Sequence, residues 1–220
     1  MIKQIPNLFT SLNLIVGCVG VYSVLAGGEF RALYFVLAAA FFDVFDGLLA
    51  RLLKAKSDFG AQLDSLADLI SFGVLPSFYL LGLLKGQVGF YWVALLVALF
   101  SAYRLARFNI DDSQSDSFLG LPVPANAIMI TSLFLAPFEL GASALMVVVA
   151  ASCVLLVSPI RLLSLKFSNF GWSGNQTRWI LIFGSVAFFL VFGWMFVPFL
   201  IPYYILLSVV SSALIKKGNA

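Results

Sequence analysis

Four aspartates stand at helical spacing in a stretch of chain that is otherwise almost wholly apolar. Asp43 and Asp46 are three residues apart, and Asp64 and Asp68 are four apart, so each pair lies on one face of its own helix. Carboxylates inside a membrane cost free energy unless they meet a cation. All-oxygen ligation suits Mg²⁺, Mn²⁺ or Ca²⁺ rather than zinc. We therefore predict that the four aspartates hold two divalent ions, which together can grip a diphosphate.

The composition places these acids in a membrane protein. Of the 220 residues, 62% are hydrophobic and 10% are charged, whereas a soluble domain has about 25% charged residues. The chain has no histidine, which removes the commonest general base. We predict one all-α transmembrane bundle over residues 1–220, with no separate soluble domain. About eight spans are expected, with six or seven as alternatives, near Leu12–Gly27, Ala32–Leu53, Gln62–Leu84, Val88–Arg107, Val123–Pro137, Ala142–Leu163, Arg178–Trp194 and Pro198–Ile215.

The distribution of basic residues predicts the orientation of this bundle. Of the 13 lysines and arginines, only Arg31 and Lys85 fall on one predicted side. The others are expected to face the cytoplasm together with both termini; they are Lys3, Arg51, Lys54, Lys56, Arg104, Arg107, Arg161, Lys166, Arg178, Lys216 and Lys217. This basic face also favours anionic lipid headgroups. The N-terminal residues show no cleavable signal pattern, so we expect the first span to be retained.

The same topology is expected to bring the two acid pairs together. Asp43 precedes Arg51, at the end of the second predicted span, by eight residues, which is roughly 12 Å along a helix. The short basic loop Lys54–Asp58 follows, so the second and third spans can run antiparallel. The carboxylates would then meet just below the cytoplasmic surface of the membrane.

Small residues and one arginine accompany the aspartates. Gly47 and Gly60 have no side chain and Ala50 has a small one, so a ligand or a facing helix can approach closely. Arg51 can bind a phosphate through its planar guanidinium group. A side chain that reaches to the lipid headgroups explains Arg51 equally well.

Together these residues form the pattern D-x2-D-G-x2-A-R-x8-G-x3-D-x3-D, which resembles the signature of the CDP-alcohol phosphotransferases. Members of that family move a phosphatidyl-type group from a CDP-linked donor to an alcohol and release CMP. The resemblance implies a site for Mn²⁺ or Mg²⁺ at the four aspartates, with Asp68 as the general base. It also implies that CDP is bound by Asp46, Gly47, Ala50, Arg51, Gly60 and Asp64.

Softer motifs resemble the phosphatidylserine synthase branch of the family. They lie at Ile5–Asn13, Asp64–Ser77, Arg104–Asn109, Gly120–Ala125 and Ser164–Lys166. The donor is then expected to be CDP-diacylglycerol and the acceptor L-serine. Asp68 would take the proton of the serine hydroxyl, and the oxygen would attack the lipid-side phosphorus while the metals stabilise the leaving CMP. The resemblance also implies a homodimer. We further expect an integral protein of the cytoplasmic membrane whose active site faces the cytoplasm, with no organic cofactor and no nucleic acid partner.

Further polar residues are candidates for the acceptor or phosphate site. Arg104 and Arg107 can clamp a carboxylate or a phosphate, or can anchor the span as part of the positive-inside pattern. Asn109 can assist them or can end the helix. Asn7 and Thr10 can contact the headgroup, or can cap the first helix.

Two rival functions stay open. The same transfer to glycerol phosphate, inositol or choline would share the four aspartates and differ in the acceptor pocket. A divalent-cation or proton-coupled transporter is the remaining alternative, because intramembrane acids also mark ion paths. Transport sites usually lie near the membrane midplane between broken helices, whereas these acids are predicted to lie towards one face.

Overall fold

The structure is a helical bundle, seen in a computed structural model that describes residues 4–110, 118–163, 171–172 and 175–218. Its α-helices are α1 Ile5–Leu25, α2 Ala32–Leu52, α3 Asp58–Asp68, α4 Leu75–Leu84, α5 Leu96–Ile110, α6 Val123–Thr131, α7 Ala142–Val157, α8 Gln176–Phe192 and α9 Val197–Gly218. A π-helical segment, Leu69–Val74, joins α3 to α4 without a break. Two short strands, β1 Phe118–Leu119 and β2 Arg161–Leu162, pair antiparallel.

The lengths of these helices confirm a polytopic membrane protein. Among the described residues, five stretches are long and apolar enough to cross a bilayer: Ile5–Leu25, Ala32–Leu52, Asp58–Leu84, Tyr91–Ile110 and Gln176–Ser211. Two apolar helices, Val123–Leu135 and Ala142–Val157, are shorter. The number of spans and the side on which the termini lie stay predictions, and Lys3 and Lys166 lie outside the described residues.

The first helix begins earlier than the sequence indicated. We expected a span from Leu12, but α1 begins at Ile5, with Pro6 in its first turn. The reason is that the polar residues near its start belong to the helix itself and face the rest of the protein. Thr10 and Asn13 are buried on the same face of α1 as Gly17 and Gly20, so this face packs against the protein.

The stretch Asp58–Leu84 forms the centre of the bundle. Of the most apolar 18 residues of this stretch, 56% are buried. In the corresponding part of each of the other four long stretches, 28% or fewer of the residues are buried. Phe72, Leu75, Leu80 and Leu84 are fully buried, and helices α1, α2, α5, α6 and α7 all contact this stretch. The third helix therefore carries its two aspartates on an element that is buried along much of its length and is held by five neighbouring helices.

A proline explains why the regular helix changes pitch after Asp68. Pro76 has no N–H to donate to the carbonyl of Phe72, and its ring would collide with that carbonyl in a regular α-helix. The wider π-turn at Leu69–Val74 relieves such a conflict. The Ser77 hydroxyl donates to the carbonyl oxygen of Gly73 at 2.8 Å, so one of the carbonyls in this segment is satisfied by a side chain.

Helix α1 lies unusually close to the π-helical segment. A Cβ atom on Gly17 would collide with the Ser71 hydroxyl and would lie 3.0 Å from the Cα atom of Ser71. One turn on, a Cβ atom on Gly20 would lie 2.8 Å from Leu75. The two glycines therefore serve a contact within the chain, where small residues let helix backbones approach.

Replacing Gly17 should destabilise the fold. We expect Gly17→Ala to cost about 1–3 kcal/mol, because the added methyl group overpacks the contact with Ser71. The measurement is the thermal unfolding midpoint of the purified protein in detergent. Cys18→Ala is the matched control, because Cys18 is exposed on the next position of α1. Equal midpoints for Gly17→Ala and the control would contradict the close packing.

Candidate functional site

Three of the four predicted acids converge. One carboxylate oxygen each from Asp43, Asp64 and Asp68 lies within 4.8 Å of the other two. Asp43 comes from α2, and the other two come from α3. Helix α1 packs against both α2 and α3, so it holds the two acid-bearing helices in register.

Asp46 lies beside this cluster rather than within it. Its side chain is only 6% exposed, and one of its oxygens accepts a hydrogen bond of 2.6 Å from the hydroxyl of Thr10. Its charge nevertheless acts on Asp64. The arrangement is thus a cluster of three carboxylates with a fourth held alongside by α1.

The acids have few internal donors. Asn13 donates a hydrogen bond of 3.1 Å from Nδ2 to Oδ1 of Asp68. Oδ1 of Asp64 is buried and has no hydrogen-bond partner among the described residues. Burying an oxygen of this kind without a partner is costly. Converging carboxylates with an unpartnered oxygen are the donor set that a hard divalent cation requires, so these residues fit a metal ion.

A cavity of about 280 Å³ opens next to the acids. Its lining contains most of the residues that we expected to bind CDP, namely Asp46, Gly47, Ala50, Gly60 and Asp64, together with Asn7 and Thr10. A Cβ atom on Gly47 would meet no described atom within 4 Å, so this position leaves the cavity open. Neither Asn7 nor Thr10 caps the first helix, because α1 already begins at Ile5.

Arg51 does not line this cavity in the structure. It is exposed in the last turn of α2, and its Nε donates to the carbonyl oxygen of Gly47 at 3.0 Å. This contact holds the guanidinium group against Gly47, which does line the cavity. No hydrogen bond joins Arg51 to the acids in the described part of the chain.

The two predicted arginines of α5 line a separate cavity of about 380 Å³. Its walls are otherwise mostly apolar, from Leu99 and Phe100 of α5 to Leu156 and Val157 of α7. Arg104 is partly buried, whereas Arg107 is exposed. The Nε atom of Arg104 is buried without a hydrogen-bond partner among the described residues, and the charge of Asp68 acts on this guanidinium group.

Asn109 lies in neither cavity. Its Nδ2 donates to the hydroxyl of Ser65 at 2.9 Å, and Ser65 stands on α3 between Asp64 and Asp68. Asn109 therefore ties the end of α5 to the acid-bearing helix. It belongs to the framework of the site in the structure, and it lies in the last turn of α5, which runs to Ile110.

Several residues of the site were not predicted from the sequence. Asn13 contacts Asp68, and Lys56 and Ser57 line the smaller cavity. Ser57 also caps α3, since its hydroxyl accepts from the backbone N–H of Gly60 at 3.1 Å. One signal was present: Thr10, Asn13 and Gly17 are spaced by three and four residues, which places two polar side chains and a glycine on a single helix face.

Comparison with known proteins supplies a family. Residues 3–191 match the family model described as CDP-alcohol phosphatidyltransferase, which is most of the chain and includes every residue of both cavities. The match therefore covers the acid cluster and the helices that position it.

Curated relatives carry related names. A CDP-diacylglycerol–serine O-phosphatidyltransferase of Helicobacter pylori strain 26695 is 41% identical over 130 residues, which cover 57% of this chain and 54% of that protein. The protein of the same name from Bacillus subtilis strain 168 is 37% identical over 124 residues, covering 56% of this chain and 70% of that protein. An archaetidylserine synthase of Methanothermobacter thermautotrophicus is 34% identical over 163 residues, covering 71% and 68%.

The extent of these matches differs between the relatives. The chain spans about half the length of the Helicobacter protein and over two thirds of the Bacillus and Methanothermobacter proteins. Taken with the match to the family model over residues 3–191, they show that this chain belongs to the CDP-alcohol phosphatidyltransferase family.

Proposed function

We propose that this protein transfers the phosphatidyl group of CDP-diacylglycerol to the hydroxyl group of L-serine, giving phosphatidylserine and CMP. The observation that carries the proposal is the convergence of Asp43, Asp64 and Asp68 beside a cavity lined by small residues. Family membership supports the type of transfer. The names of the bacterial relatives, in which serine is the acceptor, support the choice of alcohol.

The acids would hold the metal. Asp43, Asp64 and Asp68 offer converging oxygens, and Asp46 lies alongside and lines the neighbouring cavity. We propose that the four together seat two ions, Mn²⁺ or Mg²⁺. Bound there, the ions would supply Lewis-acid stabilisation of the charge on the diphosphate.

The cavity of about 280 Å³ is the proposed seat of the CDP group. Gly47, Ala50 and Gly60 let the ligand approach the backbone of α2 and α3. Ser57 and Gly60 belong to the start of α3, and the N-terminus of a helix favours an anion. Lys56 adds a positive charge at the same edge. The acyl chains would remain in the lipid while the nucleotide enters from the aqueous side.

Asp68 is the proposed base. The serine hydroxyl gives its proton to the Asp68 carboxylate, and its oxygen forms a bond to the lipid-side phosphorus of the donor. The bond between that phosphorus and the bridging oxygen of the diphosphate breaks, and CMP leaves with the electron pair. Asp68 suits this role because it is the acid whose charge acts on Arg104, where an acceptor would be bound.

Arg104 and Arg107 are proposed to bind the acceptor or the phosphate of the donor. The unpartnered Nε atom of Arg104 is available to a carboxylate, and an arginine binds carboxylates through two parallel hydrogen bonds. The apolar walls of this cavity lower the dielectric constant around such a pair and strengthen it. Asn109 acts through Ser65, and so positions α3 against α5.

The setting of the reaction follows from charge. The excess of lysine and arginine on one predicted side supports an active site that faces the cytoplasm. We propose an integral protein of the cytoplasmic membrane that acts as a homodimer and forms one domain over residues 1–220. The dimer is supported by the family resemblance alone.

The choice of alcohol can be tested by competition between acceptors. Purified protein with Mn²⁺ and CDP-diacylglycerol is expected to release CMP with L-serine and to form phosphatidylserine. Glycerol phosphate, inositol and choline, each supplied separately, should give no more CMP than a reaction without acceptor. Release of CMP with one of these alcohols and not with serine would contradict the assignment. Metal uptake into vesicles without any nucleotide chemistry would instead favour the transporter.

Replacing individual acids should separate their roles. Asp68→Asn is expected to lower kcat about 100- to 10,000-fold, because the base is lost, while leaving part of the donor binding. Asp43→Asn should raise both the metal requirement and the KM for the donor. Asp58→Asn is the matched control, since Asp58 is exposed on the first turn of α3. Full activity of Asp68→Asn would refute the assigned base.

A further inference from the structure

Asn13 is a polar side chain buried in the middle of α1. Its exposed fraction is 0%, and it lines neither the cavity next to the acids nor the cavity of Arg104 and Arg107. Among the described residues its side chain makes one hydrogen bond, from Nδ2 to Oδ1 of Asp68 over 3.1 Å, across 55 residues of sequence. Its own Oδ1 is buried without a hydrogen-bond partner among those residues, so the bond to Asp68 is the contact that offsets the cost of burying this amide.

The main chain of Asn13 is held by the segment that follows Asp68. The Ser71 hydroxyl donates to the backbone carbonyl oxygen of Asn13 at 3.0 Å. Ser71 belongs to the π-helical segment, and one turn along α1 Gly17 lets the two backbones approach. The amide of Asn13 is therefore fixed relative to the same element that carries Asp68.

A second hydrogen bond from the same face of α1 shows that this face contacts the acids. Thr10, three residues earlier, donates to Asp46 of α2 at 2.6 Å. A single helix face thus contacts one acid from each acid-bearing helix. In both contacts the donor is a neutral group, so it orients the acid and adds no positive charge beside it.

We propose that Asn13 is a positioning residue for Asp68; this inference rests on the proposed function. An ionised carboxylate only accepts hydrogen bonds. The amide of Asn13 occupies Oδ1 and so leaves Oδ2 free to receive the proton of the acceptor hydroxyl. A lysine or arginine in this place would pair with the base and weaken it, and would repel divalent cations. A neutral amide sets the direction of the carboxylate and avoids both effects.

The contact can be tested by its effect on turnover and on donor binding. Asn13→Ala is expected to lower kcat about 10- to 100-fold, the usual cost of removing a residue that orients a metal ligand, here the proposed ligand and base Asp68, while the KM for CDP-diacylglycerol changes less than about 2-fold. Thr10→Ala is the comparison. It removes the hydrogen bond to Asp46, which lines the donor cavity, and it should mainly raise the KM for CDP-diacylglycerol. Ser11→Ala is the control, since the Ser11 hydroxyl bonds only to the carbonyl oxygen of Asn7 within α1.

Two results with these variants would overturn the inference. A kcat of Asn13→Ala within about 2-fold of the unchanged protein would overturn it. So would the same change of kcat and KM in Asn13→Ala and Thr10→Ala, because both contacts would then only hold helices together. The variants are assayed with whichever alcohol supports CMP release in the unchanged protein, so a wrong acceptor would not be mistaken for a failure of Asn13.

Ser71→Ala covers the case in which Asn13→Ala does not fold. It keeps the amide of Asn13 and removes only the hydrogen bond to the backbone of α1. We expect kcat to fall about 3-fold at an unchanged KM, because Asn13 then holds Asp68 less firmly. An unchanged kcat for Ser71→Ala, with normal thermal stability, would show that no anchored amide is needed and would overturn the inference.

Discussion

Mutual repulsion among Asp43, Asp64 and Asp68 is the constraint around which this bundle is organised. One oxygen from each lies within 4.8 Å of the other two, and the three side chains are only partly exposed, so water does not fully screen them. Such an arrangement needs packing that fixes it, and in the proposed site a divalent cation would compensate its charge. Under the proposed function, that cation would also place positive charge between the acids and the negatively charged diphosphate of the donor.

The packing that fixes the acids comes from three elements. The long stretch Asp58–Leu84 is buried at the centre of the bundle and holds Asp64 and Asp68. Helix α2 supplies Asp43 and Asp46, and α1 contacts both elements. The close approach of α1 at Gly17 and the donors Thr10 and Asn13 act on the same face. The proposed metal site, the proposed donor site and the packing of the helices therefore share one contact surface.

The local part of this arrangement could be read from the sequence. The spacing of the aspartates and small residues is a property of single helices, and it singled out the four acids and three small residues that line the smaller cavity, Gly47, Ala50 and Gly60. Asn13 and Thr10 could not be assigned in this way, because their partners lie 55 and 36 residues away. In a membrane the lipid-facing side of a helix is as apolar as its core, so hydropathy does not reveal which face is buried. The start of α1 was misplaced because the polar residues Thr10 and Asn13 belong to the helix and are buried.

The location of the metal tests the central claim most directly. Crystals of the protein grown or soaked with Mn²⁺ should give an anomalous diffraction peak bounded by the carboxylates of Asp43, Asp64 and Asp68, and Asp43→Asn should weaken that peak. A peak elsewhere in the protein, or none at these carboxylates when a CDP-linked lipid is bound, would contradict the account.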